Sequence, residues 1–259
     1  MLILFLSLET VLLSTFGINI LVICHFNSLK QILSSCNISV KPDLRFCAAC
    51  ARAKCHQFPY PTTLTAYTAP LQFVYTDIWG STSVPASNGV RYYVSFLDAF
   101  TKFTWIYVLH TKSQVSHAFK KFKVLVEKQT GHKICNLQTD NAREFLVLTY
   151  FLQQHGIHHR LTCPYTHQQN GSVERKQRHI VDMGLALLAH ANLPLKFWAE
   201  AFISFVHIIN VLPSPTIKGD THHHKLFHTT PNYAHFKVFA CTCYPNLRPY
   251  NTRKFAFRS

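Results

Sequence analysis

Leu137–Phe145 reads LQTDNAREF and Cys163–His179 reads CPYTHQQNGSVERKQRH, and the way these two stretches fit together decides the fold. In the first, an apolar, strand-like run (Ile134, Leu137) ends on Asp140. In the second, an Asn-Gly turn at Asn170-Gly171 opens a helical stretch with Glu174 in its first turn. A third carboxylate, Asp77, closes another strand-like run, FVYTDIWG, at Phe73–Gly80. The chain has 11 Asp and Glu against 26 Lys and Arg, so acids placed at the ends of elements stand out as candidate metal ligands. Two Asp and one Glu supply the hard oxygen donors that suit Mg²⁺ or Mn²⁺. Such a trio can hold two ions about 4 Å apart and run an in-line displacement at phosphorus. Three converging carboxylates also repel one another unless a cation lies between them. The other acids read as structural: Asp98 sits in a hairpin turn, and Asp182 and Asp220 read as helix or turn residues.

Working outward, a chain of 259 residues can bury one sizeable core with a smaller module beside it. Its net charge of +15 points to a polyanionic partner such as nucleic acid. The positive charge is spread through the chain, which favours a basic domain face, with one dense run at Lys112, Lys120, Lys121, Lys123 and Lys128 and another at Arg175, Lys176 and Arg178 just past Glu174. Nine Cys form an odd count with no regular framework, a chain this long does not need disulfides to fold, and the usage suits a reducing compartment. Cys135 and Cys163 read as small core residues, and Cys241 and Cys243 as core residues or as nothing in particular.

The chain divides into five stretches. Residues 1–24 are strongly apolar with Glu9 as the one charge, which reads as a signal-like or marginal membrane segment, or as an artefact of the gene model. Residues 25–60 carry Cys47-Ala-Ala-Cys50, the C-x₂-C spacing of a zinc knuckle. Residues 61–70 form a Pro-bounded linker, residues 71–215 the main domain, and residues 216–259 a C-terminal extension. Within the main domain, strands are expected over 71–79, 92–97, 103–109, 134–139 and 157–162. Helices are expected from a Ser113 cap to Gln129, over 144–154, over 172–190 with Val173, Ile180, Met183 and Leu187 buried, and from an Asn192 cap onward with Trp198, Ala201, Phe202, Phe205, Ile209 and Leu212 as the apolar stripe. Gly184 is expected to weaken its helix. The run His222, His223, His224 reads as a solvated loop. This order of elements suits an α/β fold with a mixed sheet flanked by helices.

TDIWG, TDNAREF and CPYTHQQNGSVERK, with GVRYYVSFLDAFTKFTWIYVLHTKS, LPLKFWAEAF and HKLFHTTPNY, resemble the integrase core of copia-type LTR retrotransposons. The resemblance runs from about His25 to Ser259. It implies a ribonuclease H-like mixed five-stranded sheet flanked by helices, with a small N-terminal module, in which the first and fourth strands are neighbours. Asp77, Asp140 and Glu174 are then the catalytic residues and the Mg²⁺ or Mn²⁺ ligands of a DNA 3′-end processing and strand-transfer enzyme. The nucleic-acid-binding residues implied beside them are Asn141, which would also orient Asp140, His167, Gln168 and Asn170 on an exposed loop, and Arg175, Lys176 and Arg178 on the helix. The upstream module implies a Zn²⁺ site with His25, Cys47 and Cys50. The family's first His is missing near Ile20, so zinc is expected to bind weakly or not at all. DNA, a homo-oligomer and the nucleus follow from the family. Two other readings are a degenerate or co-opted copy that binds nucleic acid without catalysis and a protein anchored in a membrane through residues 1–24.

The chain departs from the family pattern in four places. Ala142-Arg143 stands where Gly-Gly is usual, which is costly if that backbone needs positive φ. His167 replaces a Pro. The 33 residues between Asp140 and Glu174 are slightly fewer than the family's usual number, with the shortening expected around Phe145–Phe151. The other segments of a polyprotein are not part of this chain, which reads as a fragment of one.

Overall fold

The computed structural model describes residues 66–163 and 167–243. A unit boundary falls between Leu64 and Thr65, and the described residues belong to the second unit, Thr65–Ser259. His25, Cys47, Cys50 and residues 1–24 lie outside them. Among the described residues no helix is long and apolar enough to cross a membrane.

Five strands form one mixed sheet in the order β3-β2-β1-β4-β5: β1 (Val74–Trp79), β2 (Tyr92–Asp98), β3 (Thr104–Leu109), β4 (Asn136–Thr139) and β5 (His158–Leu161). The first three are joined antiparallel, while β4 runs parallel to β1 and β5 parallel to β4. The helices are α1 (Val115–Thr130), α2 (Arg143–Leu146), α3 (Thr149–Gln154), α4 (Gly171–His190), α5 (Trp198–Val211) and α6 (His222–Phe227).

Each sheet face has its own core. Val74, Val94, Phe96 and Leu137 pack with Val115, Phe119, Phe122 and Val126 of α1 and with Phe145, Leu148 and Leu152. Phe96 and Phe122 stack with ring centroids 4.3 Å apart. On the other face Tyr93 packs with Ile180 and Leu188 of α4 and Trp198, Phe202 and Phe205 of α5. Asn210 fixes α5 to β3, because its side-chain amide accepts from Thr104 N (3.0 Å) and donates to Thr104 O (2.7 Å). Asp98 is structural as expected. It is 0% exposed and its carboxylate accepts from Leu71 N (2.9 Å), Thr101 N (2.8 Å) and Thr101 Oγ1 (2.6 Å).

Several local expectations are corrected. The helix expected over 144–154 is two short helices broken at Val147-Leu148. Thr111, not Ser113, opens the α1 segment, in a reciprocal capping box with Gln114. Asn192 does not cap α5. It has φ 53°, and Pro194 leads a 3-10 turn, Leu195–Phe197, from which α5 continues. Cys135 and Cys163 are exposed, as are Cys241 and Cys243. Met183 is 41% exposed, because Gly184 rather than Met183 faces α5. The three histidines open α6 instead of a solvated loop. His222 is 1% exposed and its Nδ1 lies 2.9 Å from Thr101 O.

The role of Gly184 is therefore packing. A Cβ there would stand 2.2 Å from Phe202 Cδ1, and the Phe202 ring is hemmed in by Trp79, Tyr93 and Trp198. Ala in place of Gly gains about 1 kcal/mol of helix propensity, whereas overpacking a full core costs about 1–3 kcal/mol. Gly184→Ala should lower stability in a urea melt, and Gly184→Ala/Phe202→Leu should recover part of the loss. A stabilised single variant would show that the α4–α5 contact yields easily.

Candidate active site

The ladder between β1 and β4 positions the first two acids. Val74 pairs with Leu137 and Tyr75 with Gln138. Asp77 lies two residues past Tyr75 and Asp140 two residues past Gln138, so continuing the register sets them opposite each other at the carboxyl end of two parallel strands. Side chains alternate along a strand, so Asp77 shares its side of the sheet with Tyr75 and with Tyr93 and Ser95 of β2, the side covered by α4.

Two amide contacts seat the start of α4 over this end. Asn170 is 3% exposed and its Nδ2 donates to Thr76 O on β1 (3.2 Å). Gln138 Nε2 on β4 donates to Gln169 O (2.6 Å), and Gln169 Oε1 accepts from Cys163 N (2.8 Å). Glu174, half-buried in the first turn of α4, is carried with it. A second brace holds the Asp140 side. The His159 ring, whose pKa is lowered by burial and then by His158, bridges Thr139 Oγ1 (2.9 Å) and Thr149 Oγ1 (3.1 Å).

The Asp77 carboxyl feels the charge of both other acids. Asp77 is pushed up to about 7, first by burial, then by the charge of Asp140 and, less, by Glu174. The Ile78 N–H, which donates to Asp77 Oδ1 (2.9 Å), and the charge of Lys112 pull the other way. Asp140 Oδ1 accepts from Ala142 N (3.1 Å) in a local turn. Ala142 has φ −65° and ψ 140°, and Arg143 is the first residue of α2. Neither position needs the left-handed backbone that would require Gly, so this departure from the family is tolerated locally.

Three partly buried carboxylates form a set of hard oxygen donors of the kind that suits a divalent cation. Among the described residues, no three His, Cys, Asp or Glu side chains are already gathered around a single metal-sized point. Nearby, the Tyr93 hydroxyl is buried without a partner among the described residues and feels the Asp77 charge, which adds to burial in raising its pKa. Asn170 Oδ1 is likewise buried and unpartnered.

The other residues singled out from the sequence scatter. Asn141 is exposed, and instead of orienting Asp140 its Nδ2 donates to Thr162 O (2.8 Å). Asn170 is not on an exposed loop but buried under α4. His167 and Gln168 lie in a 3-10 turn, His167–Asn170. Arg175 and Arg178 are exposed, and Lys176 is half-buried. The residues that sequence reasoning missed are Gln138, Gln169 and His159. A Gln and a His at strand positions were the signal, since polar side chains inside a sheet must find partners.

An integrase core domain model matches residues 67–167. The chain is 45% identical over 213 residues to the retrovirus-related Pol polyprotein from transposon RE2 of Arabidopsis thaliana, a match covering 82% of this chain and 15% of that polyprotein. It is 42% identical to the corresponding polyprotein from transposon RE1 of the same plant, over 87% of this chain and 16% of that one. With the polyprotein from transposon TNT 1-94 of Nicotiana tabacum it shares 34% identity over 81% of this chain and 16% of that one. The chain thus spans about 15% of the length of these curated relatives. Among solved structures, the simian T-cell lymphotropic virus intasome in complex with the PP2A regulatory subunit B56 gamma matches 88% of this chain and 80% of that chain, with a TM-score of 0.56 and 18% identity. That likeness shows the fold.

The Asp77 shift has a measurable consequence. Its carboxyl titrates at about 7 in the folded chain against an ordinary 3.8. Between those values the folded state holds a proton that the unfolded state has released. The corresponding stability is fully present below the lower value and is lost as pH rises through the upper one. In EDTA, stability should therefore fall from about pH 4 to pH 8, and Asp77→Asn should flatten that fall. At pH 8 the variant should melt higher, by about 2–4 °C for each kcal/mol of repulsion relieved. Millimolar Mn²⁺ should raise the melting temperature of the wild type and leave that of the variant nearly unmoved. A wild-type profile unchanged by Asp77→Asn would remove the electrostatic account.

Proposed function

Because the chain belongs to the integrases of copia-type LTR retrotransposons, we propose that Thr65–Ser259 carries a metal-dependent DNA 3′-end processing and strand-transfer centre built on Asp77, Asp140 and Glu174. The observation that carries this reading is the parallel β1–β4 register, which on continuation sets Asp77 opposite Asp140, and the Asp77 carboxyl, raised by burial and then by the Asp140 charge, supports it. The net charge of +15 supports DNA as the substrate.

Mg²⁺ or Mn²⁺ bound there would supply Lewis-acid activation of a water or a 3′-hydroxyl and stabilise the leaving oxygen. The chain's own residues do the rest. Asp77 and Asp140 come from adjacent strand ends, so the ladder fixes their separation and orientation. Glu174 arrives on α4, whose seat depends on Asn170 and on Gln138–Gln169. Asp77 must lose its proton to act as a ligand, so ligand binding and proton release are linked. Arg178, exposed and one helical turn past Glu174, is placed to hold a phosphate of the DNA. No protein nucleophile is required. We place the active form as a homo-oligomer on DNA in the nucleus.

Glu174→Gln should abolish strand transfer of a DNA end in Mg²⁺ and Mn²⁺ while DNA binding holds or tightens, because a negative charge is removed near the phosphates. Asp182→Asn, more than two helical turns further on and exposed, should change the rate little. Exposed charges more than about 8 Å apart are largely screened at physiological salt. Retention of the wild-type rate by Glu174→Gln would sink the mechanism. A wild type that is folded yet inert in both metals would leave DNA binding without catalysis as the function.

A further inference from the structure

The two strands do not hold their acids equally. Asp77 lies inside β1 and is register-paired with Ser95 of β2. β4 ends at Thr139, so Asp140 stands one residue past the ladder, and strand pairing does not by itself fix the backbone that carries the second acid. A chain of side-chain contacts reaches that backbone from the other side of the sheet. Side chains alternate along β4. Gln138 faces α4, while Thr139 shares the α1 side with Leu137, the register partner of His159. The buried Thr139 Oγ1 donates to Asp140 O (2.7 Å) and lies 2.9 Å from His159 Nε2. The other ring nitrogen, Nδ1, lies 3.1 Å from Thr149 Oγ1 at the start of α3.

Donors and acceptors in this chain can be assigned. A carbonyl oxygen only accepts, so the single proton of the Thr139 hydroxyl is committed to Asp140 O. That hydroxyl must then accept from His159, which places the ring proton on Nε2. Burial, and then His158, lower the pKa of the ring and keep it neutral, and a neutral imidazole has one N–H. Nδ1 is therefore the acceptor, and the Thr149 hydroxyl donates to it. All the groups point one way, from Thr149 through the ring and Thr139 to the Asp140 carbonyl. A ring that merely fastened α3 to the sheet could carry either polarity. The direction is set at the Asp140 end, by an oxygen that cannot donate.

We propose that His159, as its Nε2–H tautomer, is a positioning residue for Asp140, acting through the Thr139 hydroxyl. Holding Asp140 O fixes the plane of the Asp140–Asn141 peptide, and with it the direction in which the Asp140 side chain leaves the backbone. The turn in which Asp140 Oδ1 accepts from Ala142 N (3.1 Å) starts from that same peptide. His159 works from the α1 side of the sheet, whereas Asp77 lies on the α4 side, so the ring orients an acid without sharing its chemistry. The inference rests on the reading that Asp140 is a ligand of a divalent ion. Partners that orient metal ligands contribute about 10–100-fold to metal affinity.

The test is Mn²⁺ binding to the full chain, read from the electron paramagnetic resonance signal of free Mn²⁺, with a thermal melt in EDTA beside it. His159→Leu should weaken Mn²⁺ binding about tenfold. His159→Gln, whose amide N–H can still donate to Thr139, should keep the wild-type affinity although it gives up the Thr149 contact. Thr139→Val should weaken binding as much as His159→Leu does, and the double variant no further, because both break the same chain. Val126→Ala, which opens a cavity in the core on the same sheet face, should lower the melting temperature and leave the affinity unchanged. Failure of Gln to rescue, an additive double variant, or an equal loss in Val126→Ala would each overturn the proposal. If His159→Leu does not fold, nitrogen NMR of the wild-type imidazole in neutral buffer decides: a proton on Nε2 is expected, and one on Nδ1 overturns the proposal. A wild type that binds no Mn²⁺ ends the metal-centre reading and this inference with it. A wild type that binds Mn²⁺, with His159→Leu binding it equally well, ends this inference alone.

Discussion

The parallel β1–β4 ladder holds Asp77 and Asp140 opposite each other against their own repulsion, and the rest of the domain is arranged around that fact. Antiparallel neighbours can be joined by a tight turn, but a parallel pair needs a crossover. Here β2, β3, α1 and the segment leading to β4 make that crossover, and α1 buries its apolar stripe on the way. Burial first, and the Asp140 charge second, lead the Asp77 carboxyl to hold its proton to about 7. Natural cores seldom keep like charges this close without a task for them. The stability that offsets it comes from elsewhere, in two apolar cores on the two sheet faces.

The third acid depends on amides instead of a ladder. Glu174 belongs to α4, and α4 is placed by Asn170 on β1 and by Gln138 on β4 gripping the backbone just before it. These contacts convert the strand register into a helix position. Gly184 sets the other end of α4, where the missing Cβ lets the Phe202 ring come against the helix backbone. The first turn of α4 is therefore located by polar contacts and its fourth turn by packing. A shift at either end would move Glu174 relative to the two Asp.

Much of this was legible in the sequence. The strand that carries Asp77 (two residues before its end at Trp79), the strand that ends just before Asp140, the helix opening before Glu174, the apolar stripe of α5 apart from exposed Leu212 and the structural role of Asp98 follow from periodicity and turn chemistry. What escaped is instructive. Cys135 and Cys163 read as core but are exposed, because a small apolar side chain does not by itself reveal on which side of a short strand it lies. Gly184 read as a weak point because propensity is local, whereas its contact with Phe202 joins residues far apart in the chain. His222 read as loop because a run of three His carries no periodicity. Its burial comes from the β2–β3 turn, a distant segment, through Thr101 O. Asn170 looked like exposed loop polarity, and only the β1 carbonyl above it shows why the position is buried.

The departures from the family pattern can now be weighed by where they fall. At Ala142-Arg143 the backbone is ordinary extended and then helical geometry, so the lost glycines cost nothing in φ, and the Ala142 methyl gains contact with the apolar core. The break between α2 and α3 falls at Val147-Leu148. Phe145, Leu148 and Leu152 all reach the core. His159 on β5 ties Thr139, the residue before Asp140, to Thr149 on α3, so this segment is fastened to the strand that leads to Asp140. The changes therefore spare the ladder and its braces. In the short turn leading into α4, where His167 stands in place of the family's usual proline, the approach to Glu174 is held among the described residues by Gln169 and Asn170.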